Sequence, residues 1–400
     1  METFNVLFVD DEPNLLAGLK RLCRAHKDEW TAHFCASGSE ALALMAMQPM
    51  DVVVSDMRMP SMDGAELLSH VRDCYPGTIR VILSGYADTE CVLRTVGPAH
   101  VYLAKPCSAH TISDAISRPL ALRRVLRAQR LRDVVAGLTD LPTPPELFAR
   151  LQAELRSPKT SVTSVAAIIS QDMAMTAELL KLTNSAYFSL GVKATSVSHA
   201  VRILGIEMIE ALILRIGIVR QLGHDERVCD LVRALNGHSL EIASLAERIA
   251  LANGCDESTA KAAFCAGMLS FLGHLVFLDA YPDHYTGLLA HCHGGKSLSA
   301  AEEEAFGASH AHVGAYLLGL WGFTDLVVEA VAHSFAPSQC PVRSNDVLTA
   351  VHAARALGPP LPLLPGQPAF DMSYVCEARQ DLRIVTWREL AQTIGENANA

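Results

Sequence analysis

The segment VVVSDMRMPSMDG, residues 52–64, decides the fold of the first third of the chain. Its short apolar run predicts a strand that is buried on both faces, and an aspartate follows that run immediately. After a turn that contains Pro and Gly, the pattern GAELLSHVRDC, residues 64–74, has the apolar spacing of a helix. A buried strand followed at once by an amphipathic helix is the repeating unit of an α/β fold.

The same unit recurs on both sides of this segment, over residues 1–118. NVLFV, RVILS and VYLA predict further buried strands, a fifth strand lies near AHFCA, and NLLAGLKRLCRAH and SEALALMAM have helical spacing. This alternation predicts a doubly wound α/β domain with a five-stranded parallel sheet.

Polar residues follow four of the predicted strands, namely Asp10 with Asp11, Asp56, Ser84 and Lys105. Because parallel strands end at one edge of a sheet, we expect these side chains to converge in one crevice. Clustered carboxylates favour a hard cation such as Mg²⁺, with Asp11 and Asp56 as direct ligands and Asp10 close behind. Asp56 is also the candidate nucleophile toward phosphorus, with Lys105 and Ser84 stabilising the phosphoryl charge. For any single aspartate, helix capping stays open as an alternative.

The rest of the chain has a different pattern. After Pro119, LALRRVLRAQRLRDVVAGL predicts one basic helix with a Leu/Val stripe, and TDLPTPP breaks it. From Thr143 onward nearly every segment has helical spacing and strand signals are almost absent, which predicts an all-α domain. Residues 358–368, GPPLPLLPGQP, form a Pro-rich loop.

Charge and composition exclude several functional classes. The formal charge of −10 is divided into −5 over residues 1–118, +4 over 119–135 and −9 over 136–400, so both folded parts would repel a nucleic acid. The 11 cysteines include no CxxC pair, and we expect reduced thiols without a structural disulfide. We find no apolar run of membrane-span length and no leader segment, so we expect a cytoplasmic protein with no membrane contact.

A metal-dependent phosphohydrolase of the HD type needs an isolated His, an adjacent His-Asp pair and further ligands that face one cavity. The all-α part contains only fragments of that pattern: His238, Ser270-Phe271, His310 with His312, and His333-Ser334. A Ser hydroxyl is a weak ligand and Phe is none, so we expect neither a metal nor metal-dependent hydrolysis here. We interpret His274, His310, His312 and His333 as hydrogen-bonded helix residues, and HCHGG, residues 291–295, as a polar loop.

Residues 4–118 resemble the receiver domain of bacterial two-component response regulators, through VDDE, SDMRMPSMDG, LSGYAD and VYLAKP. The resemblance implies a flavodoxin-like fold and the following residue roles. Asp56 corresponds to the phosphoacceptor, Asp10 and Asp11 to the acidic pair, Arg58 to the residue whose backbone carbonyl binds Mg²⁺, Lys105 to the phosphate-pairing lysine, and Ser84 with Tyr102 to the switch pair. It also implies a cis peptide bond before Pro106 and a switching face formed by the fourth helix and fifth strand of that fold.

Residues 137 to about 340 resemble the HDOD family, a non-catalytic relative of HD phosphohydrolases. The resemblance lies in LPTPPELFARL, ISQDMAMTAELLKLTNSAYFS, SVSHAVRILGIEMIEALIL, CAGMLSFLGHLVF and EEEAFGASHAHVGAYLLGLWGF. The chain departs from that family at Ser270-Phe271, at His333-Ser334 and at Thr324, which stands where a Pro is common. His238, Ser270, Phe271, His310 and His333 are therefore identified as degenerate, non-catalytic HD positions.

These observations predict a receiver domain over residues 1–118, a basic helical linker over 119–136, an HDOD output domain over 137–345 and a helical, Pro-rich extension over 346–400 that packs on it. Phosphorylation of Asp56 is expected to control an output domain that acts by protein contact. The expected partners are a sensor histidine kinase or phosphotransfer protein, an unidentified downstream protein and, in a homodimer, a second copy of the chain. The main alternative is a receiver-regulated, metal-dependent phosphodiesterase or phosphohydrolase. A DNA-binding regulator is a third hypothesis, against which the chain shows neither a helix-turn-helix signature nor a basic domain.

Overall fold

The computed structural model describes residues 3–397 except 86–96, 125, 127, 139, 185–193, 217–219, 224, 293–296, 342–344, 365–368, 379 and 381–382. Its strands are β1 (Phe4–Val9), β2 (Trp30–Cys35), β3 (Val52–Asp56), β4 (Ile79–Ser84), β5 (Val101–Ala104), β6 (Pro142–Thr143) and β7 (Arg220–Gln221). Its α-helices are α1 (Pro13–Cys23), α2 (Gly38–Met47), α3 (Gly64–Cys74), α4 (Ala109–Arg123), α5 (Gln129–Gly137), α6 (Pro145–Leu155), α7 (Val162–Ile169), α8 (Met173–Thr183), α9 (Val197–Leu204), α10 (Ile206–Glu210), α11 (Glu226–Ala252), α12 (Glu257–Leu269), α13 (Leu272–Ala280), α14 (Pro282–His291), α15 (Leu298–Phe306), α16 (His310–Leu320), α17 (Asp325–His333), α18 (Asp346–Leu357), α19 (Met372–Glu377) and α20 (Ile384–Asn397). Ala211–Ile216 is π-helical, and Arg24–His26 and Pro337–Gln339 are 3₁₀ turns.

The first five strands form one parallel sheet in the order β2-β1-β3-β4-β5. Every residue of β3 and β4 is buried, as expected for central strands that helices cover on both faces. Asp56 pairs in register with Leu83, and Ser84 pairs with Ala104, so the carboxyl ends of β3, β4 and β5 lie side by side. The predicted flavodoxin-like fold is confirmed. The segment between β4 and β5 that would hold the fourth helix of this fold falls on residues 86–96, outside the described part of the chain.

The remainder is mostly helical, as predicted, although β6 and β7 add a two-residue parallel pairing that the sequence did not indicate. Helix α11 packs along α12 and α18, while α13 packs across α16. Gly273 makes the second crossing possible, because a Cβ at this position would lie 1.9 Å from the carbonyl oxygen of His310. The close approach brings His274 against His310 in the interior.

The helical domain contains one stretch with the length and composition of a membrane span, which corrects the expectation that no apolar run reaches that length. The stretch Glu257–Ala280 is 24 residues long and contains an 18-residue window with a mean hydropathy of 1.6, so it meets the length and composition criteria for a span. It consists of α12 and α13, and 89% of its most apolar 18-residue window is buried inside the protein. These two helices form part of the core of the helical domain, which explains their composition.

The predicted basic helix after Pro119 is divided in the structure. Helix α4 continues from the receiver through Pro119 and ends at Arg123, and α5 starts at Gln129. Between them Leu126 is fully buried, so the chain turns inward and interrupts the helix. The basic side chains have specific partners: Arg123 bonds Asp51 (2.9 Å), Arg124 lies over the Phe4 ring (5.1 Å), and Arg130 lies over the Tyr281 ring (5.8 Å). Arg127, also counted in the basic helix, lies outside the described residues.

The sheet domain contacts the helical domain through α4 and α5, which both pack on α16. Leu122 reaches Gly319, where an added Cβ would lie 2.2 Å from Cδ1 of Leu122. Arg118 and Asp325 form an ion pair at 3.0 Å on the rim. The apolar core continues across this boundary through Ile116, Leu126 and Leu131.

A polar junction fixes α5 to the sheet. The fully buried guanidinium of Arg80 donates to the carbonyl oxygens of Pro98 (2.6 Å), Thr78 (3.2 Å) and Ala136 (3.0 Å). His100 accepts the backbone N–H of Arg80 at Nδ1 (3.0 Å), so its Nε2–H donates to Ala136 (2.7 Å). Two side chains of the sheet domain thus bind the last turn of α5.

Helices α18, α19 and α20 lie beyond the predicted end of the HDOD domain. The Trp387 ring of α20 is fully buried, and its Nε1–H donates to Oδ1 of Asn253 at 2.9 Å. His352 accepts the backbone N–H of Asp371 at Nε2 (2.9 Å), which holds the start of α19 against α18.

Candidate functional sites

The predicted polar residues of the sheet domain meet at the carboxyl edge of β1, β3 and β5. The Lys105 ammonium lies 2.9 Å from Oδ2 of Asp10 and also pairs with Oδ1 of Asp56. Asp10 and Asp56 are 1% and 7% exposed, so two carboxylates and one ammonium share a nearly closed crevice. Asp11 is exposed beside them.

Backbone donors orient both buried carboxylates. Oδ1 of Asp10 accepts the N–H of Glu12 at 2.8 Å, and Oδ2 of Asp56 accepts the N–H of Arg58 at 2.9 Å. Each carboxylate therefore has one oxygen held by the backbone and the other paired with Lys105. Such orientation fixes where a phosphoryl group or a cation can approach.

Electrostatics keep Lys105 charged. Burial alone would lower its pKa, but hydrogen bonds and the charges of Asp56 and Asp10 raise that pKa above its ordinary value. The combined negative charge of the two buried carboxylates and the adjacent exposed one is larger than the positive charge of the single ammonium. The set of hard oxygen donors from Asp10, Asp11 and Asp56 fits Mg²⁺, which takes one or two carboxylates and keeps several waters.

The predicted switch residues lie next to this crevice. Ser84 ends β4, and its hydroxyl donates to the Gly85 carbonyl at 3.1 Å rather than to Asp56. Tyr102 is buried on β5 and borders a cavity of about 600 Å³ between the two domains, which Trp321 and Phe323 line from the other side. The predicted cis peptide bond between Lys105 and Pro106 is confirmed. Within LSGYAD, residues 86–88 lie outside the described part of the chain.

In the helical domain, Ser270 and Phe271 have the surroundings of packing residues. The Ser270 hydroxyl donates to the Gly267 carbonyl at 2.8 Å within its own helix. The Phe271 ring is 1% exposed and meets the His238 ring edge-on, with the ring centroids 5.0 Å apart. The space between these HD positions is therefore filled by an aromatic ring.

A buried polar network lies next to Phe271. Tyr285 donates its hydroxyl hydrogen to Oε1 of Glu302 (2.6 Å), so the Nδ1–H of His274 donates to the Tyr285 oxygen (2.5 Å). His310 donates from both Nδ1 (2.7 Å) and its backbone N–H (2.8 Å) to Oε2 of Glu302. All four side chains are at most 1% exposed.

Sequence reasoning missed Glu302 and Tyr285. Glu302 belongs to a run of three glutamates, residues 302–304, of which only the first is buried. The two glutamates that follow Glu302 are exposed, and the sequence pattern alone does not show which of the three is buried. His310, eight residues later, was a candidate without an identified partner.

His274, Glu302 and His310 offer ligand atoms within 4.8 Å of one another, so we tested the arrangement as a metal site. Both oxygens of Glu302 already accept hydrogen bonds, and the two imidazoles are stacked with centroids 3.8 Å apart and planes 19° apart. Lone pairs in nearly parallel planes do not converge on one ion. The residues present do not fit a metal.

The protonation of this network follows from burial. Burial lowers the pKa of His274 and of His310 well below the ordinary value, and nearby positive charge lowers it further. Burial raises the pKa of Glu302, against the opposing effect of His274, and raises that of Tyr285. Nε2 of both histidines has no hydrogen-bond partner among the described residues. Two neutral imidazoles thus each keep a buried ring nitrogen without a hydrogen-bond donor among the described residues.

The other predicted histidines lie apart from this network. Nδ1 of His312 bonds the Ser309 hydroxyl at 3.1 Å, and His333 is half-buried at the end of α17. Nδ1 of His291 bonds the Gly287 carbonyl at 2.7 Å, while residues 293–295 of the predicted polar loop fall outside the described residues. The ten cysteines of the described chain are free thiols.

Comparison with known proteins agrees with both predicted resemblances. Residues 6–117 match the family model described as the response regulator receiver domain, and residues 141–337 match the model described as the HDOD domain. The hydrogenase transcriptional regulatory protein HoxA of Cupriavidus necator is 33% identical over 129 residues, which cover 32% of this chain and 25% of HoxA. An uncharacterized protein of Treponema pallidum is 27% identical over 218 residues, which cover 54% of this chain and 41% of that protein. The chain thus spans less than half the length of these curated relatives.

Similar solved structures include the MmoQ response regulator from Methylococcus capsulatus, at 23% identity and a TM-score of 0.46, covering 62% of this chain and 98% of that one. A signal receiver domain of an HD domain-containing protein from Pseudomonas fluorescens is 30% identical with a TM-score of 0.27, covering 31% of this chain and 94% of that one. The two family matches, together with the sheet order and the helical remainder, support a response regulator. The chain joins a member of the response regulator receiver family, over residues 6–117, to a member of the HDOD family, over residues 141–337.

Proposed function

We propose that Mg²⁺-dependent phosphorylation of Asp56 by a histidine kinase or phosphotransfer protein switches an HDOD output domain that acts by protein contact. The observation that carries this proposal is the Lys105 ammonium between the buried carboxylates of Asp10 and Asp56. The buried carboxylates of Asp10 and Asp56 place negative charge around Lys105, at the point where a phosphoryl group would enter. Because the phosphoryl group is itself anionic, a bound cation is needed to neutralise this charge.

In the proposed step, an Asp56 carboxylate oxygen attacks the phosphorus of a phosphohistidine and forms an acyl phosphate. The P–N bond breaks, its electron pair goes to the imidazole nitrogen, and the partner's imidazole leaves. Lys105 transfers its contact from Oδ1 of Asp56 to a phosphoryl oxygen, and Ser84 turns its hydroxyl from Gly85 toward another. Bound Mg²⁺, held by Asp10, Asp11 and Asp56 with the Arg58 carbonyl, would neutralise charge on the phosphoryl group.

The orientation of Asp56 supports this assignment. The Arg58 N–H holds Oδ2 at 2.9 Å, which leaves Oδ1, now paired with Lys105, as the attacking atom. The backbone contact keeps the carboxylate plane fixed while Lys105 moves to the incoming group.

Output by protein contact is supported by the packing of the residues that stand at the HD metal-ligand positions. Ser270 uses its hydroxyl within its helix, and Phe271 fills the space beside His238. The alternative, a receiver-regulated phosphodiesterase or phosphohydrolase, would need a metal-bound water at these positions. We therefore favour a cytoplasmic signalling protein that acts on a downstream protein through its surface.

Transmission is proposed to pass through α4 and α5. Tyr102 borders the interdomain cavity, Leu122 packs on Gly319, and Ala136 is bonded to Arg80 and His100. A ring movement of Tyr102 would change the packing of β5 against Trp321 across this cavity. Residues 119–135 would then move relative to α16.

The test uses the full-length chain with Mg²⁺ and beryllofluoride, a phosphoryl mimic. We expect altered hydrogen exchange in residues 119–135 and altered capture of a specific partner from a lysate, both absent in Asp56→Asn. Asp28→Asn, at an exposed aspartate, is the matched control and should respond as the unmodified chain does. Unchanged exchange and capture on mimic binding would contradict the proposal.

A further inference from the structure

A buried arginine lies among the degenerate HD positions of the helical domain. The Arg355 guanidinium carbon lies 4.3 Å from the centroid of the Phe271 ring and 4.1 Å from that of Phe335. Its Nη1–H donates to the carbonyl oxygen of Ser270 at 3.1 Å. The side chain is 5% exposed, so a full positive charge lies between two aromatic rings inside the domain.

This charge is not neutralised by a direct ion pair. Within the residues that the structure describes, no carboxylate lies at ion-pair distance from Arg355. Burial lowers the pKa of Arg355 to about 9, against the opposing effect of the Glu302 charge, so the guanidinium stays protonated at neutral pH. Contact with two aromatic faces and one carbonyl oxygen replaces part of the lost hydration, because a cation–π contact is stronger when it is desolvated.

The positive charge of Arg355 lowers the pKa values of the surrounding imidazoles. Burial lowers the pKa of His238 to about 4, and the charge of Arg355 acts in the same direction. The same charge also depresses the pKa values of His274 and His310 below what burial alone produces. One guanidinium therefore lies within electrostatic reach of four histidines, since its charge also lowers the pKa of His352, and of the buried Glu302.

We infer that the Arg355 guanidinium supplies a permanent positive charge among the degenerate HD positions, in the place where an HD phosphohydrolase would hold its metal ion. Ser270, Phe271 and His238 stand at positions that would carry or surround metal ligands, and all three border the guanidinium or the ring stacked on it. A second cation in this space would face a fixed positive charge at short range. The planar guanidinium also suits stacking between two rings, which a lysine ammonium does not.

The position of Arg355 is independent of phosphorylation of Asp56. Restoring the missing His-Asp pair is therefore insufficient to restore metal binding while Arg355 is present. The metal-free state would then be maintained by a charged residue about 85 positions away in sequence from Ser270, not only by the loss of two ligands.

The test compares Co²⁺ binding by four full-length variants: Ser270→His/Phe271→Asp, the same pair with Arg355→Met, Arg355→Met alone, and Arg388→Met as an exposed-arginine control. Visible absorption distinguishes a buried ligand set from surface histidines. We expect the triple variant to bind Co²⁺ roughly 10⁵-fold more tightly than the double variant, because a unit charge about 5 Å from the divalent ion is removed at an effective dielectric constant near 20. Equal affinity of the double and triple variants would overturn the inference.

A second measurement decides the matter where the triple variant does not fold. Arg355→Ala should lose thermal stability and recover part of it with millimolar guanidinium ion, whereas equimolar urea, which has a similar shape and no charge, should not rescue it. The Arg388→Ala control should respond to neither additive. Absence of any guanidinium-specific recovery would mean that the cavity does not require a cation.

Discussion

Leu122, near the end of the helix α4 that continues from the receiver domain, is in direct contact with Gly319 of the HDOD domain: a Cβ at Gly319 would lie 2.2 Å from Cδ1 of Leu122. Gly319 is near the end of α16, and His310 of the buried network is the first residue of the same helix. A single helix therefore joins the domain boundary to the core of the output domain. A movement of α4 would therefore be transmitted to that core through α16.

Gly319→Val should separate the two domains locally. The added side chain would overlap Leu122, and overpacking of this kind costs about 1–3 kcal/mol. We expect faster hydrogen exchange in residues 109–123 and 129–137 with little change in helix content. Gly287→Val is the matched control, since a Cβ at Gly287 meets nothing within 4 Å. Equal exchange in the two variants would argue against a tight Leu122 contact.

Asp56→Asn should abolish phosphorylation by acetyl phosphate or a histidine kinase in the presence of Mg²⁺. An amide lacks the nucleophilic carboxylate oxygen and cannot form the acyl phosphate. The measurement is acid-labile, hydroxylamine-sensitive labelling with radioactive phosphate. Asp28→Asn should label normally, and removal of Mg²⁺ should suppress labelling of both the control and the unmodified chain. Persistent labelling of Asp56→Asn would identify another acceptor.

The stability of the protein should depend on pH through His100. Burial lowers the pKa of this imidazole well below its ordinary value of 6.5, and the charge of Arg80 acts in the same direction. The native state therefore keeps His100 neutral, while the unfolded chain binds a proton below pH 6.5. Its contribution to stability is complete above that pH and declines as pH falls toward the native pKa.

The check is urea unfolding between pH 5 and 7.5. His100→Gln should reduce the pH slope of the unfolding free energy by about 1.4 kcal/mol per pH unit below pH 6.5, one proton's worth. His274 and His310 would keep a residual slope. The exposed His70→Gln should leave the slope unchanged. An unaltered slope in His100→Gln would show that this imidazole is not held neutral.

The helical domain should not hydrolyse cyclic dinucleotides or common nucleotides with Mg²⁺, Mn²⁺ or Fe²⁺. Phe271 stands where a ligand would be needed, and its ring is fully packed. The assay is product release by chromatography on the full-length chain. Turnover above about 0.1 per second, below the usual enzyme range of roughly 1 to 1,000 per second, would count against a non-catalytic domain.

The receiver site was predictable because it depends on local patterns. Buried parallel strands are recognisable as short apolar runs, and the residue after each run lies at the carboxyl edge of the sheet. Asp10, Asp56 and Lys105 were therefore placed together from the sequence, and the structure brings them into contact. The resemblance to receiver domains added the cis bond before Pro106, which the structure contains.

The sequence determined both family resemblances and the absence of the His-Asp pair, since these are properties of contiguous residues. It did not determine the break between α4 and α5, because that break depends on burial of Leu126 against both domains. Only the tertiary structure placed Arg355 between Phe271 and Phe335, and Glu302 between His274 and His310. Helical periodicity shows which face of a helix is apolar but not which distant helix covers it, so the partner of a buried charge is decided only when the helices pack.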